Sequence, residues 1–140
     1  GVVDYFESVA AHHARNDEES VAAQAQLVRT LFHHAESALL PPLLDFLSAH
    51  PRVRLIGSAQ ASDRAPTVAF TVEGLSSVDV AQALARLDIG VGHGNFYAYR
   101  LMQALGIDPA EGVVRASFVH YTSGADVDRL IAGLESTLDS

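Results

Sequence analysis

Cysteine and lysine are both absent from the 140 residues, and each absence removes a class of chemistry from this chain. Without cysteine there is no disulfide, no thiolate metal ligand and no thiol nucleophile. Without lysine there is no side-chain amine that could form a Schiff base with a carbonyl cofactor or substrate. These two absences exclude a cysteine nucleophile and a cofactor held on a lysine, and we predict no catalytic residue on this chain.

A basic surface and a long apolar run are missing as well. The formal net charge is -8, and the nine basic residues, all arginine, are scattered along the sequence. This balance argues against nucleic acid or an anionic membrane as a partner. No apolar run approaches the roughly 20 residues that span a bilayer, and the first residues lack the features of a signal peptide. We therefore expect a cytoplasmic protein.

Length and composition indicate one folded domain, since 140 residues with 49% hydrophobic residues suffice for an ordinary core. The sequence starts abruptly, because Val2, Phe6 and Val9 recur at helical spacing from the outset. Domains more often begin with a few polar, loosely held residues. We therefore expect a piece of a longer chain, the alternative being a short chain with its own leading helix.

Helical signals dominate the first 50 residues. Apolar spacing predicts a helix over residues 2–12 and a long second helix, for which Asn16 offers an N-cap with Glu19 three residues on. Pro41 and Pro42 then fall within the periodic stretch. Because proline is tolerated in the first turn of a helix and not in its interior, the pattern predicts that a new helix starts there and ends near residue 50.

Strand and helix signals alternate in the remainder. Strands are predicted over residues 53–56, 66–72, 89–91 and 113–119, and helices over residues 76–87, 96–105 and 123–138. The pattern predicts an α+β fold: a small, mainly antiparallel sheet of three to four strands, with helices packed on one face and long N-terminal helices before it.

Arg115 is the most informative single residue, because it stands inside the apolar run of residues 113–119. Arginine is almost never buried without an anionic partner. Its planar fork of donors can hold a carboxylate through two hydrogen bonds, and a strand is a rigid mount for it. Two interpretations stay open: a salt bridge to a carboxylate of the chain itself, or a docking point for the carboxylate of a ligand.

A second candidate is the glycine-rich sequence GHGNFY at residues 92–97. Free N–H groups at the start of a helix attract anions, so His93 and Asn95 would lie at the edge of an anionic ligand. A dinucleotide-binding fingerprint matches poorly, because Asn95 stands where its third glycine belongs. The alternative is a tight connection that binds nothing.

The histidines carry no metal signature. His12 and His13, like His33 and His34, are adjacent, so the two rings of each pair point in different directions on a helix. No two histidines lie four residues apart with an acid between them, and we expect no metal site. His120 is expected in solvent or beside a cleft.

Five segments occur in the order seen in class V aminotransferases. They are residues 64–70 (RAPTVAF), 84–91 (LARLDIGV), 92–98 (GHGNFYA), 114–117 (VRAS) and 120–122 (HYT). On these residues the chain resembles the small, C-terminal domain of a fold-type-I enzyme dependent on pyridoxal phosphate. Within that class it is most similar to the cysteine-desulfurase-like branch.

The resemblance implies that pyridoxal phosphate is bound to a lysine of a large domain outside this chain. Arg115 matches the family arginine that grips the α-carboxylate of a small amino-acid substrate, and His93 and Asn95 lie in the matching active-site segment. Desulfurases carry their persulfide-forming cysteine in that segment, where this chain has none. The resemblance therefore implies aminotransferase-like or lyase-like chemistry in a homodimeric parent enzyme.

We thus expect a single domain over residues 1–140, with residues 1–50 as the helical connection from the missing large domain and residues 51–140 as an α+β sheet subdomain. Its function would be substrate recognition. The alternative is a stand-alone α+β module that binds a metabolite or regulates without catalysis.

Overall fold

The computed structural model describes residues 1–14 and 20–139. Two helices come first, α1 (Val2–His13) and the long α2 (Val21–Ala49). They are followed by β1 (Val53–Ile56), a short 3-10 helix (Ala61–Asp63), β2 (Thr67–Val72), α3 (Ser77–Ala85), β3 (Gly92–Gly94), α4 (Tyr99–Ala104), β4 (Val113–Ser117) and α5 (Gly124–Leu138). None of the helices in these ranges has the length and hydropathy of a membrane span.

The strands form one sheet in the order β1-β2-β4-β3, and every pairing between described strands is antiparallel. Strand β4 therefore lies between β2 and β3. Arg115 stands opposite Ala69 on one side and opposite Gly92 on the other. The predicted α+β fold, with three longer strands and one short strand, is confirmed.

The main core lies on one face of the sheet, beneath α2, α3 and α5. Its largest fully buried side chains include Leu40, Leu44, Leu47, Phe70, Val80, Leu84 and Leu134. Burying one such side chain stabilises the fold by roughly 1.5–3 kcal/mol before conformational entropy is counted. The three amphipathic helices thus bury the apolar residues of the sheet, as the sequence predicts.

The opposite face carries a smaller apolar cluster beside the short α4. Met102, Ile107 and Val113 are buried there, with Ala69 and Phe96 packed against them. Successive strand residues point to opposite faces, so Arg115 shares this face with Val113, whereas Val114 points into the main core. The candidate arginine therefore lies on the face away from the three long helices.

Hydroxyl caps define three helix starts. Ser20 caps α2, Ser76 caps α3 and Ser123 caps α5, each accepting a hydrogen bond from the backbone N–H three residues on. The predicted capping box of Asn16 and Glu19 lies outside the described residues.

The predicted helix break at Pro41 and Pro42 is wrong, because α2 is continuous through both prolines. Each proline removes one backbone donor, so two carbonyls in the preceding turn lack a helical partner. Both prolines are exposed, which leaves their side of the helix open to water. The other side is held by burial of Leu40, Leu43, Leu44 and Leu47.

The predicted boundaries between residues 89 and 105 are also wrong. The third strand forms at Gly92–Gly94, where pairing with β4 selects it, and not at residues 89–91. Helix α4 begins at Tyr99, not at residue 96. Phe96 and Tyr97 have φ angles of +50° and +62°, in the left-handed region, which a right-handed helix cannot accommodate.

Candidate functional site

Arg115 is mounted in the middle of the sheet with small neighbours on both sides. Its cross-strand partners Ala69 and Gly92 leave room above the sheet for the long guanidinium side chain. The residue is half-buried, so part of the side chain is removed from water. The rigid strand therefore fixes where this positive charge emerges on the face.

Among the described residues, the guanidinium of Arg115 has an aromatic neighbour and forms no ion pair. Its Cζ atom lies 3.9 Å from the centroid of the Phe96 ring, in a cation–π arrangement. Its Nε atom is buried and has no hydrogen-bond partner among the described residues. The salt bridge to a carboxylate of the same chain, left open by the sequence, is not formed within residues 1–14 and 20–139.

Other arginines of the chain have hydrogen-bond partners or are exposed to water. Four of them donate to backbone carbonyls: Arg52 to Glu73 and Leu138, Arg54 to Leu105, Arg64 to Thr67, and Arg129 to Leu87. Desolvation lowers the pKa of the partly buried Arg64, although several carbonyls surround it. Arg29, Arg86 and Arg100 are exposed to water. Arg115 differs from all seven because its buried Nε has no partner in the part of the chain that the structure describes.

The 92–97 segment is held in an unusual conformation beside Arg115. The side-chain amide of Asn95 donates to the carbonyl of Pro109 at 3.0 Å, and its oxygen accepts from the N–H of Tyr97 at 3.1 Å. These bonds fix Phe96 and Tyr97 in their left-handed backbone conformation. The Phe96 ring is thereby turned toward the sheet, while Tyr97 is fully exposed.

Gly92 completes the packing of this segment. A Cβ at position 92 would lie 3.0 Å and 3.1 Å from two carbons of the Phe96 ring. The bare Cα of the glycine therefore makes space for the ring that lies against Arg115. Glycine is favoured here by the close approach of the ring, which would have to shift by a few tenths of an ångström to admit a Cβ.

The three residues predicted as a binding site are placed differently. Arg115 and the 92–97 segment meet on one face, and Asn95 orients the segment through backbone contacts. His93 pairs with Val114, so by strand alternation it belongs to the opposite face, where it is exposed. Substrate contacts by His93 and Asn95 stay predictions. Phe96 is not among the site residues predicted from the sequence. An aromatic residue that follows a glycine-rich turn was the signal that could have identified it.

His120, at the end of the β4 region, belongs to a separate aromatic cluster. Its ring stacks on Phe32 with 3.6 Å between centroids and 2° between planes. Its Nε2 lies 2.9 Å from the hydroxyl of Tyr5. The cluster joins α1 and α2 to the chain after β4. Across the described part of the chain, no three His, Asp or Glu side chains are grouped as a metal site.

Comparison with known proteins identifies the family of this chain. Residues 21–130 match the model of the family described as aminotransferase class-V. The aminotransferase-like protein FGM3 of Gibberella zeae is 38% identical over 107 residues, which are 74% of this chain and 26% of that protein. Probable cysteine desulfurase 2 of Mycobacterium leprae is 32% identical over 104 residues, which are 74% of this chain and 24% of that protein.

Solved structures share the fold. The apo cysteine desulfurase of Thermococcus onnurineus NA1 aligns with a TM-score of 0.73 and 29% identity, over 84% of this chain and 30% of that one. The cysteine desulfurase CsdA of Escherichia coli aligns with a TM-score of 0.68 and 26% identity, over 84% of this chain and 29% of that one.

The chain spans about a quarter of the length of the curated relatives it matches. The family model nevertheless covers well over half of the chain itself. This protein therefore belongs to the class V aminotransferases, a family of enzymes that depend on pyridoxal phosphate.

Proposed function

We propose that this chain is the C-terminal, substrate-recognition domain of a pyridoxal-phosphate-dependent enzyme that acts on a small amino acid. In this proposal Arg115 binds the α-carboxylate of the substrate. The observation that carries it is the buried Nε of Arg115, which has no partner among the described residues. Leaving such a donor unpaired costs free energy, so this guanidinium is not satisfied by the described residues, and its Nη donors are left for an incoming carboxylate.

The chemistry of the guanidinium suits this role. Its planar donors match the two oxygens of a carboxylate. The face of the sheet that carries it is not covered by the long helices, so a ligand or a further domain can approach it. Holding the amino acid at its carboxylate fixes the position of its Cα, which is the carbon where such enzymes react.

Pyridoxal phosphate fits this chain as a neighbour, not as a covalent ligand. A Schiff base requires an amine, and the sequence has no lysine. When bound, the cofactor supplies an electron sink for reactions at the Cα of an amino acid. The residues described here supply binding and orientation only, so the covalent attachment belongs to a domain outside these 140 residues.

The absence of cysteine narrows the reaction class that we propose. A sulfur transfer through a protein persulfide needs a thiol, and this chain offers none in the 92–97 segment or elsewhere. We therefore favour an aminotransferase-like or lyase-like reaction. The similarity to a protein named aminotransferase-like is in keeping with this choice.

The wider assembly is proposed on the same basis. Because the chain spans about a quarter of its relatives, we assign residues 1–50 to the connection with a large cofactor domain and residues 51–140 to the sheet subdomain. We further propose a homodimer in the cytoplasm. Asn95 would orient the 92–97 segment, and His93 would approach the substrate only if the segment rearranges.

The test compares two probes that differ only by a carboxylate. L-alanine and ethylamine are titrated into the full-length protein, and the visible absorbance of the cofactor reports binding. Arg115→Ala and Arg115→Lys should raise the dissociation constant for L-alanine by about 10- to 100-fold, since each hydrogen bond to a charged group contributes about 1.5–3 kcal/mol. Affinity for ethylamine and the absorbance without ligand should not change.

Arg54→Ala is the matched control. Arg54 pairs with Thr71 and lies on the same face of the sheet as Arg115, but its guanidinium already donates to the carbonyl of Leu105. This variant should bind L-alanine as the unmodified protein does. An Arg115→Ala protein with unchanged affinity for L-alanine would refute the proposed role and favour a module without substrate recognition.

A further inference from the structure

The contact between Arg115 and Phe96 restricts how a ligand can reach the guanidinium. The Cζ atom lies over the Phe96 ring, 3.9 Å from its centroid, so the ring blocks the guanidinium on that side. The Nε atom is buried. We therefore expect a carboxylate to reach the guanidinium at its Nη atoms, on the side away from the ring.

The ring reaches this position through a backbone that costs free energy. Phe96 and Tyr97 are consecutive non-glycine residues in the left-handed region, with φ angles of +50° and +62°. Such residues persist only where surrounding contacts determine them, and they concentrate at functional sites. Phe96, the first of the two, lies directly against Arg115, whose Nε has no partner among the described residues.

Two further residues hold the ring where it is. The side chain of Asn95 bonds to backbone on both sides of the segment, at Pro109 and at Tyr97. Gly92 lacks the Cβ that would press on the ring at 3.0 Å. Three features therefore determine where the Phe96 ring lies. They are the hydrogen bonds of Asn95, the absence of a Cβ at Gly92 and the left-handed backbone.

We propose that Phe96 is a positioning residue for the substrate, acting through Arg115. Its ring holds the guanidinium in one orientation and directs the Nη end toward the carboxylate. This inference rests on the proposed function, because it presumes that Arg115 binds a carboxylate. The inference adds that Arg115 without the Phe96 ring binds a carboxylate less tightly. An unrestrained arginine side chain must lose conformational entropy when it binds.

The test replaces the ring by an aliphatic side chain that still fills the cluster. Phe96→Leu should raise the dissociation constant for L-alanine by about 2- to 30-fold, the range set by a cation–π contact. Affinity for ethylamine should stay the same, because ethylamine has no carboxylate. Phe96→Tyr keeps the ring and should restore L-alanine binding. Phe46→Leu, which removes a half-buried ring from α2, is the matched control and should bind both probes normally.

A double variant separates this inference from the function on which it rests. In an Arg115→Ala background, Phe96→Leu should cause no further loss of L-alanine affinity. If Arg115→Ala weakens L-alanine binding and Phe96→Leu does not, the positioning role is wrong and the carboxylate site stands. If Arg115→Ala itself has no effect, the proposed function fails.

A second measurement needs no substrate. It also includes a second variant, so the inference can be tested even if Phe96→Leu folds poorly. The Phe96 ring lies against the guanidinium and blocks one side of it, so the ring should slow labelling of Arg115 by phenylglyoxal. Phe96→Leu, or Gly92→Ala, which presses on the ring, should speed labelling of the Arg115 peptide relative to the peptide of the exposed Arg86. Equal labelling rates in all three proteins would overturn the inference.

Discussion

Gly112 lies so close to Gly94 that a Cβ at position 112 would come within 3.0 Å of three backbone atoms of Gly94. Gly112 immediately precedes β4, and Gly94 is the last residue of β3. The backbone contact therefore sets the distance between the two strands at the point where the 92–97 segment leaves the sheet. Gly112 also has a φ angle of +63°, which favours glycine.

The first prediction follows from this contact. Gly112→Ala should lower the free energy of unfolding by about 3 kcal/mol or more, because overpacking and left-handed strain each cost about 1–3 kcal/mol. Denaturant unfolding measures the change. Gly106→Ala is the matched control, since Gly106 has a φ angle of +70° but open space around its Cα. It should lose only about 1–2 kcal/mol, and equal losses would contradict a steric role for the contact.

The sequence was informative where local signals and tertiary packing agree. Ser76 and Ser123 mark helix starts because a hydroxyl cap acts within its own turn, whatever the rest of the fold does. The β-branched run of β2 likewise predicts a half-buried strand. Arg115 could be singled out because a charge inside an apolar strand conflicts with every local preference.

Contacts between residues far apart in the sequence determine the features that the sequence did not predict. The helix through Pro41 and Pro42 is maintained by leucines buried against the sheet, which local proline rules do not include. The position of β3 is selected by its pairing with β4, about 20 residues further along the chain. The strained conformation of Phe96 depends on Pro109 and Arg115, and no signal within the 92–97 segment indicates either partner.

The second prediction concerns the aromatic cluster that holds α1. His120→Ala removes the ring that stacks on Phe32 and bonds to Tyr5. Local opening of α1 should become easier by about 1–2 kcal/mol, the sum of a stacking contact and a modest hydrogen bond. Hydrogen exchange should accelerate in residues 2–13 and stay unchanged in α5. Tyr5→Phe, which deletes only the hydroxyl, should give the smaller part of this effect. Equal acceleration in α5 would show general destabilisation instead.

The third prediction is a pH dependence at the start of α5. Asp126 accepts hydrogen bonds from the hydroxyl and the backbone N–H of Ser123, and these bonds lower the pKa of its carboxyl group. A depressed pKa in the folded state means that the stabilisation is present above the pKa of the unfolded chain. It is lost as the pH falls through the folded-state pKa, so the window lies below about pH 4.

Asp126→Asn should therefore destabilise the protein at pH 7 and have a smaller effect near pH 3. Thermal unfolding at both pH values measures the difference. Asp128→Asn is the control, since Asp128 is an exposed carboxylate on the same helix that lies outside the capping box. A loss of stability for Asp126→Asn that is equal at both pH values would contradict the assignment.

The fourth prediction concerns where the cofactor is attached in the full-length protein. Borohydride reduces the bond between pyridoxal phosphate and an amine, which fixes the cofactor to the residue that holds it. Since the chain described here has no lysine, peptides from its 140 residues should keep their unmodified masses after reduction and proteolysis. The added mass should appear on a lysine peptide from another part of the protein. An Arg115→Ala protein should give the same labelled peptide in the same yield, because its defect lies in binding the substrate and not the cofactor. A cofactor mass on any peptide of this chain would contradict the division of labour between a recognition domain and a cofactor domain.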